Sequence, residues 1–354
     1  MIVFSRHLIL IWSFCTIICS CQSTPSAEHA VITGMTMGTS YRITHEMDCS
    51  ISQQNIEHLL KLINQAVSTY IDSSIISRFN QSDSGIVLSL DQKDSIEARY
   101  FLDNLNRALA VCKDTDGWFD PTVMPLVNYW GFGYSAREER FAVMSDTVAS
   151  LLQNVGCEKI SIQRSNQISI SKSNEKTALD FSAIAKGYAV DQIAMQLINA
   201  DCDDFLVDIG GEVRSKGRNR DRELWKIGIN KPAEDADRNE IIAVIHLKDQ
   251  AAATSGNYRN FYQTEDGQII SHTVNPKTGM PERNELVSVT IIAKDCTTAD
   301  AYATACMSMG LQRAKKLIEL HDELEGVLIY SALNGSFLSY ISAGIKEIVD
   351  FIEK

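Results

Sequence analysis

Residues 182–211 read SAIAKGYAVDQIAMQLINADCDDFLVDIGG. Apolar residues recur at helical spacing over 182–200, which predicts a helix. Residues 205–209 form a short apolar strand, broken by the Gly210-Gly211 pair. The next expected strands, 225–229 and 241–247, follow with no helix between them. A parallel doubly wound sheet needs a crossover helix at each step. The expected fold class is therefore α+β, with mixed sheets and packed helices.

Working outward, residues 31–45 alternate as a strand around a glycine. Residues 52–67 place Ile56, Leu59, Leu60, Ile63 and Val67 on one helical face. Residues 68–85 lose periodicity and read as a loop. A second helix is expected over 95–112. Residues 116–133 are dense in Gly, Pro and aromatics, and no regular element accounts for them. A helix over 148–155 and strands over 160–162 and 167–170 follow. Residues 251–256 are small and polar, and 271–281 is a turn-rich loop. A strand over 286–293 precedes helices over 297–309 and 314–320. A hairpin across Asn334-Gly335 joins strands at 327–330 and 336–340.

The chain has 354 residues, 45% hydrophobic and 22% charged, the balance of a folded globular protein. Forty-five acidic against 33 basic residues give a net charge of −12. Nucleic acid is not an expected partner, because a phosphate backbone rewards clustered Lys and Arg. At the N-terminus, Arg6 and His7 precede the run LILIWSFCTIIC, which suits a signal-peptide h-region and is too short to span a bilayer. Ile18 and Ser20 before Cys21 resemble the lipobox of bacterial lipoproteins. That resemblance implies cleavage before Cys21 and a lipid on its sulfur; the alternative is an ordinary cleaved signal. The expected layout is a signal peptide over 1–20, a flexible tether over 21–34 and one main domain over 35–354. Six further cysteines, Cys49, Cys112, Cys157, Cys202, Cys296 and Cys306, lie far apart with no ligand spacing, which argues against zinc. Export permits disulfides, yet scattered cysteines in a large domain read as small buried hydrophobes.

Four segments carry chemistry. On the 297–309 helix, Asp300 and Thr304 lie one turn apart, so a carboxylate and a hydroxyl share a face. Alanines surround them and leave room for a hard cation such as Mg²⁺. Taken alone, the segment also reads as a capping box, Thr297-x-x-Asp300. In ALDFSAIAKGYAVDQ, Asp180 or Ser182 can cap the following helix, whose first turn is an anion site with Lys186 within reach. Ala183 offers only a carbonyl. Tyr70, Trp118, Phe119, Tyr129, Trp130 and Phe132 sit in loops able to hold a flat ring; for Trp130 and Phe132 a satellite core is the simpler reading. His272 lies in a loop with Asn275, Lys277 and Gly279, where it serves proton transfer, phosphate contact or the loop's own hydrogen bonds. No Walker A loop or GxGxxG occurs.

The strings MTMGTSYRI, STY, SRFN, GWFDPTVMPLVNYWGFG, LDFSAIAKGYAVD, LVDIGGEVRSKG, TSGNYRNFY, SHTVNPKTGMP and TTADAYATA together resemble the bacterial FAD:protein FMN transferase family, the ApbE-type flavin transferases. The resemblance covers residue 35 to about 310. It implies an α+β fold related to the T-fold. It also implies Mg²⁺-dependent transfer of the FMN half of FAD to a threonine hydroxyl of an exported respiratory flavoprotein domain, with release of AMP. Family metal ligands fall on the Ala183 carbonyl and the side chains of Asp300 and Thr304. FAD contacts fall on Met37, Tyr70, Trp118, Phe119, Asp120, Asp180, Lys186 and Thr273. His272 matches the histidine needed for transfer, and Asp180 with Lys186 would orient the diphosphate. Asn275, where many members have Asp, and Trp118, where smaller residues are common, depart from the pattern. The expected location is the periplasmic face of the inner membrane, through the anchor on Cys21. Two other readings are a Mg²⁺-dependent FAD pyrophosphatase and a non-enzymatic flavin-binding lipoprotein.

Overall fold

A computed structural model describes residues 28–89, 95–135, 145–232, 240–257, 261–263 and 269–352. The signal peptide, Cys21 and the tether as far as residue 27 lie outside the described residues. Among the described residues, no helix is long and apolar enough to cross a membrane.

An eight-stranded sheet runs in the order His29–Thr36, Thr39–Glu46, Phe205–Ile209, Glu212–Lys216, Ala251–Gly256, Leu286–Ala293, Glu325–Ser331, Phe337–Ile341. Every neighbouring pair is antiparallel. Both faces are covered, so alternate residues feed two cores. Ala251, Ala253, Val289 and Ile291 face the helices, while Ala252, Ile292, Val327 and Ile329 face a smaller sheet. That second sheet pairs Trp225–Asn230, Ile241–Leu247 and Val349–Phe351. The α+β expectation holds.

The helices Ala185–Asn199 and Cys296–Met309 pack against one another beneath the main sheet. Alanines at 299, 301, 303 and 305 are all buried, which lets the second helix lie close to the strands above it. A third core, with Leu126, Tyr129, Trp130 and Val274, sits under the aromatic loop. Trp130 is buried there and its Nε1 donates to the Gly279 carbonyl at 2.7 Å, as the satellite-core reading requires.

Several local expectations need correction. The strand His29–Thr36 takes in the end of the 21–34 stretch expected as tether, so the fold begins before residue 35. Within 68–85 lies a short helix, Ile75–Gln81, capped by the Ser74 hydroxyl; two turns are too few for periodicity to show. Residues 116–133 contain the helix Met124–Tyr129, with Pro125 in its first turn. Residues 251–256 form a strand whose small side chains fit between two covered faces. The expected hairpin across Asn334-Gly335 is present. Cys49–Cys202 and Cys112–Cys157 are disulfides, with Cα atoms 5.4 and 6.5 Å apart, rather than free buried thiols. Cys296 and Cys306 are free and buried.

Candidate active site

The 182–200 helix starts three residues late, at Ala185, and neither Asp180 nor Ser182 caps it. Asp180 instead closes a turn of its own. Its carboxylate accepts from the Ser182 N–H at 2.8 Å and the Ser182 hydroxyl at 3.0 Å. The Asp180 N–H donates to Pro121 at 2.7 Å, which ties this turn to the loop carrying Trp118, Phe119 and Asp120. Asp120 accepts from the Thr122 N–H and hydroxyl at 2.8 and 2.6 Å and from the Cys157 N–H at 3.1 Å. Burial pushes both carboxyls above their ordinary range, and these hydrogen bonds pull part of the way back.

On the second helix, the capping box expected at Thr297 and Asp300 is absent. Asp295 is the N-cap and accepts from the Thr298 N–H at 3.0 Å. That frees Asp300 for another task. Its Oδ2 accepts from the Gly187 N–H at 3.0 Å, one of the open donors at the start of the neighbouring helix. One turn on, the Thr304 hydroxyl lies 3.2 Å from that of Ser255 on the central sheet.

Lys186 holds a partner that the sequence did not suggest. Its Nζ lies 2.6 Å from Glu212 Oε1, the first residue after the Gly210-Gly211 turn. Burial opposes the lysine charge, but Glu212 and Asp300 overrule it and hold the ammonium well above its ordinary value. Burial lifts Glu212 to about 7, opposed by Lys186 and reinforced by Asp300. The other oxygen of Glu212, Oε2, is buried with no hydrogen-bond partner.

These groups line one cavity of about 680 Å³. It brings together Trp118, Phe119, Asp120, Asp180, Ala183, Lys186, His272, Thr273, Asp300 and Thr304. Met37 and Tyr70 are not among its lining; Met37 packs on the main core at a left-handed turn position, and Tyr70 is 73% exposed. Glu212, Asp208, Ser255 and Ser308 line it too and were not anticipated. The signal for Asp208 and Glu212 was present in LVDIGGEVRSKG, where an acid stands on each side of a tight glycine turn.

His272 enters from a loop braced by Asn275. The Asn275 amide donates to Glu282 at 2.7 Å, and its Oδ1 accepts from the Lys277 N–H at 2.9 Å. The His272 ring meets Phe132 edge to face at 6.3 Å. Trp118 forms a wall over which Lys277 and Arg313 stack, at 5.4 and 4.9 Å.

The donor set suits a hard divalent cation. Asp300, Thr304 and Ala183 offer oxygen donors in one cavity, five lining carboxylates outnumber the two lining lysines, Lys186 and Lys226, and the Glu212 Oε2 atom is buried without a partner. The same wall carries Lys186 and a helix start, which suits phosphate. A dinucleotide with a diphosphate centre matches both.

Comparison with known proteins identifies the family. The ApbE family model matches residues 37–328. A Vibrio cholerae protein named FAD:protein FMN transferase is 36% identical over 90% of this chain and 92% of its own length. Its Escherichia coli K12 namesake is 31% identical over 98% of this chain and 97% of its own. The solved flavin transferase ApbE from Vibrio cholerae superposes with a TM-score of 0.78 at 34% identity, covering 91% of this chain and 99% of that one. The apo flavinyl transferase ApbE of Pseudomonas stutzeri gives 0.77 at 28% identity, covering 91% and 97%.

Proposed function

Because the chain belongs to the ApbE family, we propose that the cavity beneath its central sheet is the active site of an FAD:protein FMN transferase. The enzyme takes FAD as substrate and a flavoprotein as acceptor. The observation that carries the site assignment is the meeting of Asp300, Thr304, Lys186, Asp180 and His272 in one cavity, from segments far apart in sequence.

Asp300, Thr304 and the Ala183 carbonyl would hold Mg²⁺, which when bound neutralises diphosphate charge and steadies the departing AMP phosphate. Lys186 supplies a fixed positive charge in the first turn of its helix, and Glu212 holds that charge at the cavity wall. Asp180 shapes the turn that presents Ala183 and joins it to the loop of Trp118 and Phe119. His272 takes the proton from the incoming threonine hydroxyl as it attacks the FMN-side phosphorus. The hydroxyl oxygen gains a bond to phosphorus, the diphosphate bridge breaks and AMP leaves.

The chain is read as an exported lipoprotein anchored through Cys21 and facing the periplasm. The two disulfides support export, because such bonds persist in oxidising compartments. The test is incubation with FAD, Mg²⁺ and an exported acceptor domain bearing a candidate threonine. Yellow-green fluorescence on the denatured acceptor band supports transfer. Free FMN and AMP with an unlabelled acceptor would instead make the protein a pyrophosphatase.

A further inference from the structure

The two helices that build the site cap each other. Asp300, on the Cys296–Met309 helix, accepts from the Gly187 N–H at the start of the Ala185–Asn199 helix. Asp191, on the Ala185–Asn199 helix, returns the arrangement. Its Oδ1 accepts from the Cys296 N–H at 2.9 Å and its Oδ2 from the Thr297 N–H at 2.8 Å. The Thr297 hydroxyl donates to the same Oδ2. With Asp295 on the Thr298 N–H, the open donors of the first turn of the Cys296–Met309 helix are satisfied by two carboxylates. Arg214, from the strand Glu212–Lys216, donates to Asp191 Oδ1 at 2.7 Å. Asp191 is 6% exposed, so this is an interior junction of two helices and a sheet strand. Gly187 and Asp191 are four apart and share one helical face. Both therefore meet the segment that leads into Asp300.

We propose that Asp191 is a positioning residue for the cation site: it fixes the start of the Cys296–Met309 helix, and through it the place of Asp300 and Thr304. The proposal rests on reading Asp300 and Thr304 as cation ligands. A carboxylate is required because one side chain must accept from two adjacent N–H groups, a hydroxyl and a guanidinium, all donors. Asparagine keeps the shape but offers one acceptor oxygen and turns an amide donor towards donors. A helix start released in this way moves its next turn, and sub-ångström placement matters for cation geometry.

The experiment uses the full chain and Mn²⁺ as probe, followed by electron paramagnetic resonance without FAD. Four variants are compared with the parent: Asp191→Asn, Thr297→Val, Asp300→Ala and Ile345→Ala. Thr297→Val deletes one donor to Asp191 and is the milder change, which guards against a misfolded Asp191→Asn. Ile345→Ala lowers stability from the core under the small sheet, at a residue outside the cavity lining. The inference expects Mn²⁺ affinity to fall at least about tenfold in Asp191→Asn and severalfold in Thr297→Val. It expects no change in Ile345→Ala at a comparable drop in melting temperature. Mn²⁺ affinity within about twofold of the parent in folded Asp191→Asn or Thr297→Val overturns it, provided Asp300→Ala abolishes binding. If Asp300→Ala also leaves binding unchanged, the cation reading fails and takes the positioning role with it. An equal loss in Ile345→Ala reduces the effect to general stability and overturns the inference.

Discussion

Gly187→Ala sets two opposed effects against each other at the centre of the site. In a helix interior, glycine to alanine is ordinarily worth about 1 kcal/mol of added stability. Here the added Cβ would press on the Cys296 carbonyl, 2.7 Å from its carbon and 2.8 Å from Asp300 Cβ. Carbon atoms prefer about 3.5–4.0 Å, so the helices must part by roughly 1 Å. Overpacking of this kind costs about 1–3 kcal/mol. Weakening the Gly187 to Asp300 bond adds about 1.5–3 kcal/mol, the worth of a hydrogen bond to a charged group. The sum exceeds the propensity gain, and we expect a net loss of about 3 kcal/mol and a melting temperature lower by roughly 4 °C. The catalytic effect should be larger in proportion, because a 1 Å misplacement costs on the order of a hundredfold in rate. Thermal melts in EDTA, together with FMN transfer rates at saturating FAD, measure both. A variant that melts above the parent and transfers at full rate would refute the close packing of the two helices at Gly187.

Further expectations follow from the same geometry. His272→Ala should lower the transfer rate by about 10²–10⁴ while FAD affinity by fluorescence quenching barely moves; equal losses would argue against a proton-transfer role. Replacing both Cys112 and Cys157 by serine should cost up to about 4 kcal/mol, from a crosslink spanning 45 residues, and should weaken FAD binding because the Cys157 N–H anchors Asp120; an unchanged melting curve would contradict this. Glu212 binds its proton more tightly when folded, with a value of about 7 against an ordinary 4.5. Its contribution to stability is therefore complete below about pH 4.5 and lost as pH rises through about 7. In EDTA, Glu212→Gln should remove that part of the slope of stability against pH, and an identical slope in the variant would contradict the assignment.

The sequence discloses this site unevenly, for physical reasons. The 182–200 and 297–309 helices were legible in the sequence even though neither buries a single stripe; the second is buried almost all round. The role of Asp300 was ambiguous, since a Thr-x-x-Asp pattern caps helices as readily as it serves a site. Asp295 resolves the ambiguity by occupying the cap itself. Glu212 was missed because its partner, Lys186, comes from an element that only the folded sheet brings near. The strand Ala251–Gly256 hid behind small residues that its two covered faces require. Disulfide pairing is not encoded in spacing, so Cys49–Cys202 and Cys112–Cys157 emerge only from the fold. Met37 and Tyr70, expected at FAD by resemblance, lie outside the cavity lining, and their contribution to flavin binding is open to substitution in the transfer assay.

The most direct measurement is an anomalous difference map from crystals grown with Mn²⁺ and FAD. A peak within coordination distance of the Asp300 carboxylate and the Thr304 hydroxyl, with the FAD diphosphate beside it and Lys186, is the predicted result. FAD bound with its diphosphate elsewhere, or Mn²⁺ held by other side chains, would contradict the account.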